Sequence, residues 1–240
     1  MIPLLMTRLL FALSIVGLFG CNADLDSPPA EVFQPTDTVP TPRKPMRYLA
    51  LGDSYTIGQN VAVAERWPLV LAERLRARGL PVDSTRIIAR TGWTTANLLQ
   101  GIATGKPTPD QDLVSLLIGV NNEYQYRPID EYERQFAQLL DTAVALAGGD
   151  KARVFVVSIP DYGYTPYGQS NQVVISGRID AFNAVNRRIT ADKGIRYFDI
   201  TPTSRQNRAD WVANDGLHPS GAQYSAWVDV MLDGVTDMLR

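Results

Sequence analysis

The chain has one cysteine and one histidine in 240 residues, and Lys and Arg (23) nearly balance Asp and Glu (25). No apolar run reaches the roughly 20 residues that a membrane-spanning helix needs. Each shortage excludes something. One cysteine, Cys21, allows no intrachain disulfide framework. So few His and Cys leave no cluster from which a zinc site could be built, so neither a metal nor a cofactor is expected. A formal net charge of -2 provides no basic surface with which to neutralise phosphates, so nucleic acid is not an expected partner.

What remains is 45% hydrophobic and 20% charged, the composition of one globular domain of ordinary size. Ahead of it, Arg8 precedes an apolar run from Leu9 to Phe19 that ends Leu18-Phe19-Gly20-Cys21, and residues 1–20 read as a signal peptide. The ending resembles a bacterial lipobox, with Phe19 bulkier than usual at its position. That resemblance implies cleavage before Cys21 and diacylglycerol attachment to its thiol, which makes the membrane a partner through an N-terminal lipid anchor. The alternative, an ordinary secretory signal, leaves a free thiol in an oxidising compartment. Residues 21–45 hold six prolines, Pro28, Pro29, Pro35, Pro40, Pro42 and Pro45, and read as an extended linker. At about 3.1 Å per residue such a stalk reaches about 70 Å. The expected location is the cell envelope, anchored on the exported side, periplasmic or extracellular.

Residues 46–240 alternate in pattern. Tyr48–Leu51, Arg86–Ala89, Leu113–Ile118, Arg153–Ile159 and Ile195–Phe198 are short apolar runs with the character of buried strands. Between and after them Trp67–Arg78, Thr95–Gly101, Ile129–Leu146, Ile175–Asp192 and Ser220–Leu239 carry helical periodicity. This βα alternation predicts an α/β fold, three layers (α/β/α) around a five-stranded, mainly parallel sheet. In such sheets ligands bind beyond the carboxyl ends of the strands.

The residues suited to chemistry stand there. Gly52-Asp53-Ser54 follows the first strand, and a serine hydroxyl needs a neighbouring base to act as a nucleophile. His218 is the single imidazole of the chain, in Asp215-Gly216-Leu217-His218-Pro219, and Asp215 three residues earlier could hold its tautomer and stabilise its cation. Taken alone, each motif is equally a turn or a helix cap.

Together the two motifs resemble the SGNH, or GDSL, family of serine hydrolases. The first block stands here as Gly52-Asp53-Ser54-Tyr55-Thr56-Ile57-Gly58, with Tyr55 in place of Leu, and carries the nucleophile over to Ser54. The glycine block resembles Arg90-Thr91-Gly92-Trp93-Thr94-Thr95, and the asparagine block Gly119-Val120-Asn121-Asn122, with Asn122 in place of the more usual Asp. Asp215-x-x-His218 matches the last block. The resemblance implies a flavodoxin-like fold, a Ser54, Asp215, His218 triad, and an oxyanion hole formed by Ser54, Gly92 and Asn121. It further implies hydrolysis of a small-molecule ester through an acyl-enzyme, on small acyl esters or lysophospholipids, with carbohydrate O-deacetylation as the alternative. A reading of another class is a catalytically silent surface lipoprotein that binds through the same cleft. Trp93, Tyr124, Tyr126 and the loop from Pro160 to Gly168, with three tyrosines, offer aromatic surface near these blocks.

Overall fold

The computed structural model describes residues 44–206, 208 and 210–240. The expected signal peptide at 1–20, Cys21 and the linker as far as residue 43 lie outside the described residues.

Strand β1 (Met46–Gly52) leads through the single turn α1 (Ser54–Ile57) and the helix α2 (Trp67–Ala77) to β2 (Val82–Ala89). Then follow α3 (Thr95–Gly105), β3 (Leu113–Leu117), the short α4 (Val120–Tyr124) and the long α5 (Ile129–Leu146). The chain closes with β4 (Val154–Val157), α6 (Gln172–Asp192), β5 (Arg196–Phe198), the turn α7 (Thr201–Ser204) and α8 (Gly221–Met238). The five strands form one sheet in the order β2-β1-β3-β4-β5, every pair parallel. Helix α2 packs on α8, while α3 packs on α5 and α5 on α6, which gives a layer of helices on each side of the sheet. The expected three-layer α/β/α fold is the observed one.

Because parallel crossovers place helices on both faces, the inner strands are buried throughout and read as unbroken apolar runs. Leu49, Ala50 and Leu51 of β1, all of β3 and all of β4 are buried. The edge strand differs. The sequence signal began at Arg86, but β2 starts at Val82, and its Asp83, Ser84 and Arg86 face solvent. An edge strand half in water lacks the apolar run that marked the others, although Arg47 to Gly52 pair with it residue by residue. The sequence pattern for β4, in contrast, ran three residues beyond the ladder: Arg153 lies in a 3-10 turn, and Ser158 and Ile159 follow the strand. Helix α3 runs past Gly101, the expected stop, to Gly105. A Cβ on Gly101 would stand 2.3 Å from the Trp93 ring, so this glycine makes room for an indole and does not end a helix.

The strand order reverses between β2 and β3 on either side of β1, so the chain leaves the carboxyl ends of β1 and β3 toward opposite faces. Such a switch point opens a crevice at the sheet edge. Ser54 follows β1 and Asn121 follows β3.

Candidate active site

Ser54 opens α1 directly after β1, and three local features set its place. Asp53 caps the turn, its carboxylate accepting the Tyr55 N–H at 3.0 Å. Gly52 has no room for a side chain, since a Cβ there would lie 2.1 Å from Thr56 Oγ1 and 2.5 Å from the Leu117 carbonyl. The strand therefore passes close against β3 before it delivers the serine. Asp53 itself is fully buried, and among the described residues one of its carboxylate oxygens has no partner. Burial pushes its pKa up to about 7, against the opposing pull of the Tyr55 N–H.

At the other end of the chain, the loop before α8 folds Asp215 and His218 onto each other. His218 Nδ1 lies 2.6 Å from Asp215 Oδ2. The second carboxylate oxygen accepts the backbone N–H groups of Leu217 and His218, each at 3.0 Å, and the Asn60 amide also donates to Oδ2. Burial alone would raise this carboxyl, but the His218 ring and the two backbone donors outweigh it and hold the pKa down to about 2. A carboxylate held in this way fixes the imidazole with Nδ1 toward it and leaves Nε2 for chemistry. The His218 ring meets Tyr55 edge-on, with centroids 5.7 Å apart.

Ser54 and His218 line one cavity of about 190 Å3, together with Gly92, Asn121, Tyr124 and Tyr167. Gly92 sits at φ 81°, in the left-handed region, with open space where a Cβ would be, so backbone conformation and not packing accounts for a glycine there. Asn121 donates one N–H of its amide to the Trp93 carbonyl at 3.0 Å, which anchors the group and leaves its second N–H free to bond elsewhere. Gln125 donates to the Gly92 carbonyl at 3.3 Å and Thr91 to Gln59 at 2.7 Å, which ties the glycine turn to both neighbouring loops. The serine, imidazole, glycine and asparagine, from four separate loops, thus face one small space with the Asp215 carboxylate behind the imidazole. Among the described residues no group of three or more His, Cys, Asp and Glu side chains could hold a metal ion.

A sequence profile of the GDSL-like lipase/acylhydrolase family matches residues 50–226. The chain belongs to that family. It is accordingly a hydrolase of the esterase and lipase type. No curated protein matches it. Among solved structures, that of TesA is similar at 19% identity and a TM-score of 0.64, covering 81% of this chain and 100% of the other. The psychrotrophic esterase EstA from Pseudoalteromonas sp. is 18% identical over 80% of this chain and 98% of its own, with a TM-score of 0.61. The acetyl xylan esterase AlAXEase is 17% identical over 79% of this chain and 100% of its own, also at 0.61. At these identities the likeness shows the shared fold.

Other residues of this GDSL-like hydrolase take places the sequence did not mark. Asn122, in the position of the usual Asp, is buried, accepts the Thr95 N–H at 2.9 Å and donates to Thr95 Oγ1 at 2.8 Å. It fastens α4 to the start of α3 and does not line the cavity. Trp93 packs over Gly101 and is not among the cavity's walls. Of the loop tyrosines, Tyr162 and Tyr167 line the cavity and Tyr164 does not. Glu123 is buried, bonded to Tyr162 Oη at 2.9 Å and to Arg178 Nε at 3.0 Å. Glu123 and Arg178 lie 55 residues apart, so sequence proximity carried no signal of the pair.

Proposed function

We propose that this GDSL-like hydrolase is a carboxylic ester hydrolase that works through an acyl-enzyme, with Ser54 as nucleophile, His218 as base and Asp215 as the group that orients it. The observation that carries the reading is the 2.6 Å contact between His218 Nδ1 and Asp215 Oδ2, with His218 and Ser54 lining the same cavity. The proton of Ser54 Oγ passes to His218 Nε2 as the oxygen attacks the ester carbonyl, and the Asp215 carboxylate stabilises the imidazolium. The backbone N–H groups of Ser54 and Gly92 and the free N–H of the Asn121 amide receive the oxyanion. The alcohol departs with the proton from His218. Water, deprotonated by the same imidazole, then splits the acyl-enzyme and releases the acid.

A cavity of about 190 Å3 around the reacting groups suits a small acyl group. The substrates proposed are small acyl esters or lysophospholipids, with O-acetylated carbohydrate as the second reading, favoured by the tyrosines along the cavity wall. A lipid anchor at Cys21, holding the domain at the exported side of the envelope, belongs to the same proposal and rests on the sequence.

The test is hydrolysis of p-nitrophenyl esters of two, four, eight and twelve carbons by the full chain, Ser54→Ala and His218→Ala. Turnover in the parent that vanishes in both variants, with folding kept, is expected. Turnover that persists in Ser54→Ala would refute Ser54 as the nucleophile, and a parent that binds ligand without turnover would favour a silent binding protein.

A further inference from the structure

A second cavity, of about 410 Å3, shares Tyr124, Tyr162 and Tyr167 with the first and contains none of Ser54, Gly92, Asn121 or His218. The hydroxyls of Tyr124 and Tyr167 meet at 2.6 Å along this common wall. Beyond it lie Tyr126 and the pair formed by Glu123 and Arg178. We propose that this second cavity receives the alcohol portion of the ester, and that it is shaped for an uncharged, hydroxyl-bearing ring, that is, a sugar.

Four observations lead there. First, a cavity next to the reacting groups but without them holds the part of the substrate remote from the carbonyl. Second, beside the apolar Val174 and Ile175 its lining carries Asn171 and a carboxylate and guanidinium in contact at 3.0 Å, with a further bond of 2.6 Å from Arg178 to the Glu123 carbonyl. Glu123 is buried, but the Arg178 guanidinium and Asn171 are in reach of a ligand; an alkyl chain laid over them strips their water and returns no hydrogen bonds, whereas sugar hydroxyls replace them. Third, the charge there is already balanced. Arg178 is committed to Glu123, so among the described residues lining this cavity no free cation is left for a phosphate. Its guanidinium also stands 4.0 Å from the centroid of the Tyr126 ring, where a choline head would otherwise sit. Tyrosine faces and a neutral, bond-rich pair are the surroundings that a pyranose ring needs, with its apolar C–H face and its rim of hydroxyls.

Fourth, Tyr126 is held at φ 56°, in the left-handed region that a residue with a Cβ avoids, and is 75% exposed. The end of α4 accounts for that conformation: the Arg127 N–H donates to the Asn122 carbonyl at 2.9 Å and the Tyr126 N–H to the Glu123 carbonyl at 3.0 Å, the pair of bonds that closes a helix on a left-handed residue. What bears on a ligand is the exposed ring itself, which lines this cavity.

The inference rests on the ester hydrolase reading, and the experiment separates the two. Xylobiose is titrated into the full chain and its Tyr126→Ala and Tyr126→Phe variants, with phosphocholine as the second probe. Saturable xylobiose binding is expected, weakened about tenfold by Tyr126→Ala and nearly restored by Tyr126→Phe, which keeps the ring face. In turnover, the ratio of kcat/KM for acetylated xylobiose to that for ethyl acetate should fall about tenfold in Tyr126→Ala, through KM. Absence of saturable xylobiose binding, equal affinity in Tyr126→Ala, or tighter binding of phosphocholine overturns the sugar site. Because the titration needs no turnover, it decides the cavity even where the parent turns over no ester and the hydrolase reading fails.

Discussion

Replacing Asp215 by Asn removes one charge and almost no volume, and the hydrogen bonds around it dictate how the new amide must turn. Oδ1 accepts two backbone N–H groups at 3.0 Å, so the amide oxygen of the asparagine stays on that side. Its NH2 group is then turned toward His218 Nδ1, which stands 2.6 Å from the position it takes. Two donors cannot share that contact, so Nδ1 gives up its proton and Nε2 carries it instead. An imidazole protonated at Nε2 cannot accept the Ser54 proton, and the charge that stabilised the imidazolium is also gone. Where this change has been made in a Ser-His-Asp triad it lowers turnover by about ten-thousandfold. We expect Asp215→Asn to lose about a thousand- to ten-thousandfold in kcat on p-nitrophenyl butyrate, or about 4 to 5.5 kcal/mol of barrier. The fold should persist. The depressed carboxyl contributes stability above its unfolded pKa, and loses it as pH falls through about 2. With the side chain 27% exposed, screening holds that contribution at pH 7 to no more than about 1 kcal/mol. Stopped-flow kinetics beside a circular dichroism melt tests both parts. A folded Asp215→Asn within tenfold of the parent refutes the tautomer argument.

Asn121→Ala removes one of the proposed oxyanion donors and should lower kcat by about a hundred- to a thousandfold with KM little changed; steady-state kinetics on p-nitrophenyl acetate checks it, and a KM effect alone would place the amide in ground-state binding. Asp53, raised to about 7 by burial, holds its proton in the folded state at pH values where the unfolded chain has lost it. Its contribution to stability is therefore full below about 4 and declines as pH rises to about 7. Asp53→Asn should flatten the urea-unfolding free energy between those values, and an unchanged slope counts against the buried acid. Gly101→Ala forces a Cβ to within 2.3 Å of the Trp93 ring and should cost about 1 to 3 kcal/mol. A calorimetric Tm equal to that of the parent would mean that the indole moves freely.

The alternation of strand and helix, and with it the fold, was legible because parallel strands inside this sheet are buried on both faces and so are written as apolar runs. Leu113 to Leu117 and Val154 to Val157 show this directly. Where one side meets water, as at Asp83 and Ser84 of β2, the code weakens and the strand began earlier than its apolar residues. The candidate site, as a set of residues that line one cavity, was legible for a different reason. Ser54, Gly92, Asn121 and the Asp215 to His218 segment are short blocks, each set by local backbone geometry directly after a strand or before the last helix.

What the sequence determined by itself was therefore local: periodicities, turns, and a carboxylate three residues from the one histidine. Only the tertiary structure decided what distant segments do to one another. It set Asn60 against Asp215 across 155 residues and Arg178 against Glu123 across 55, and it put Trp93 over Gly101. It also separated Tyr162 and Tyr167, which line the cavity, from Tyr164, which does not. A hydrogen bond or an ion pair depends on where two chains of atoms end in space. No pattern along either segment records that its partner is there.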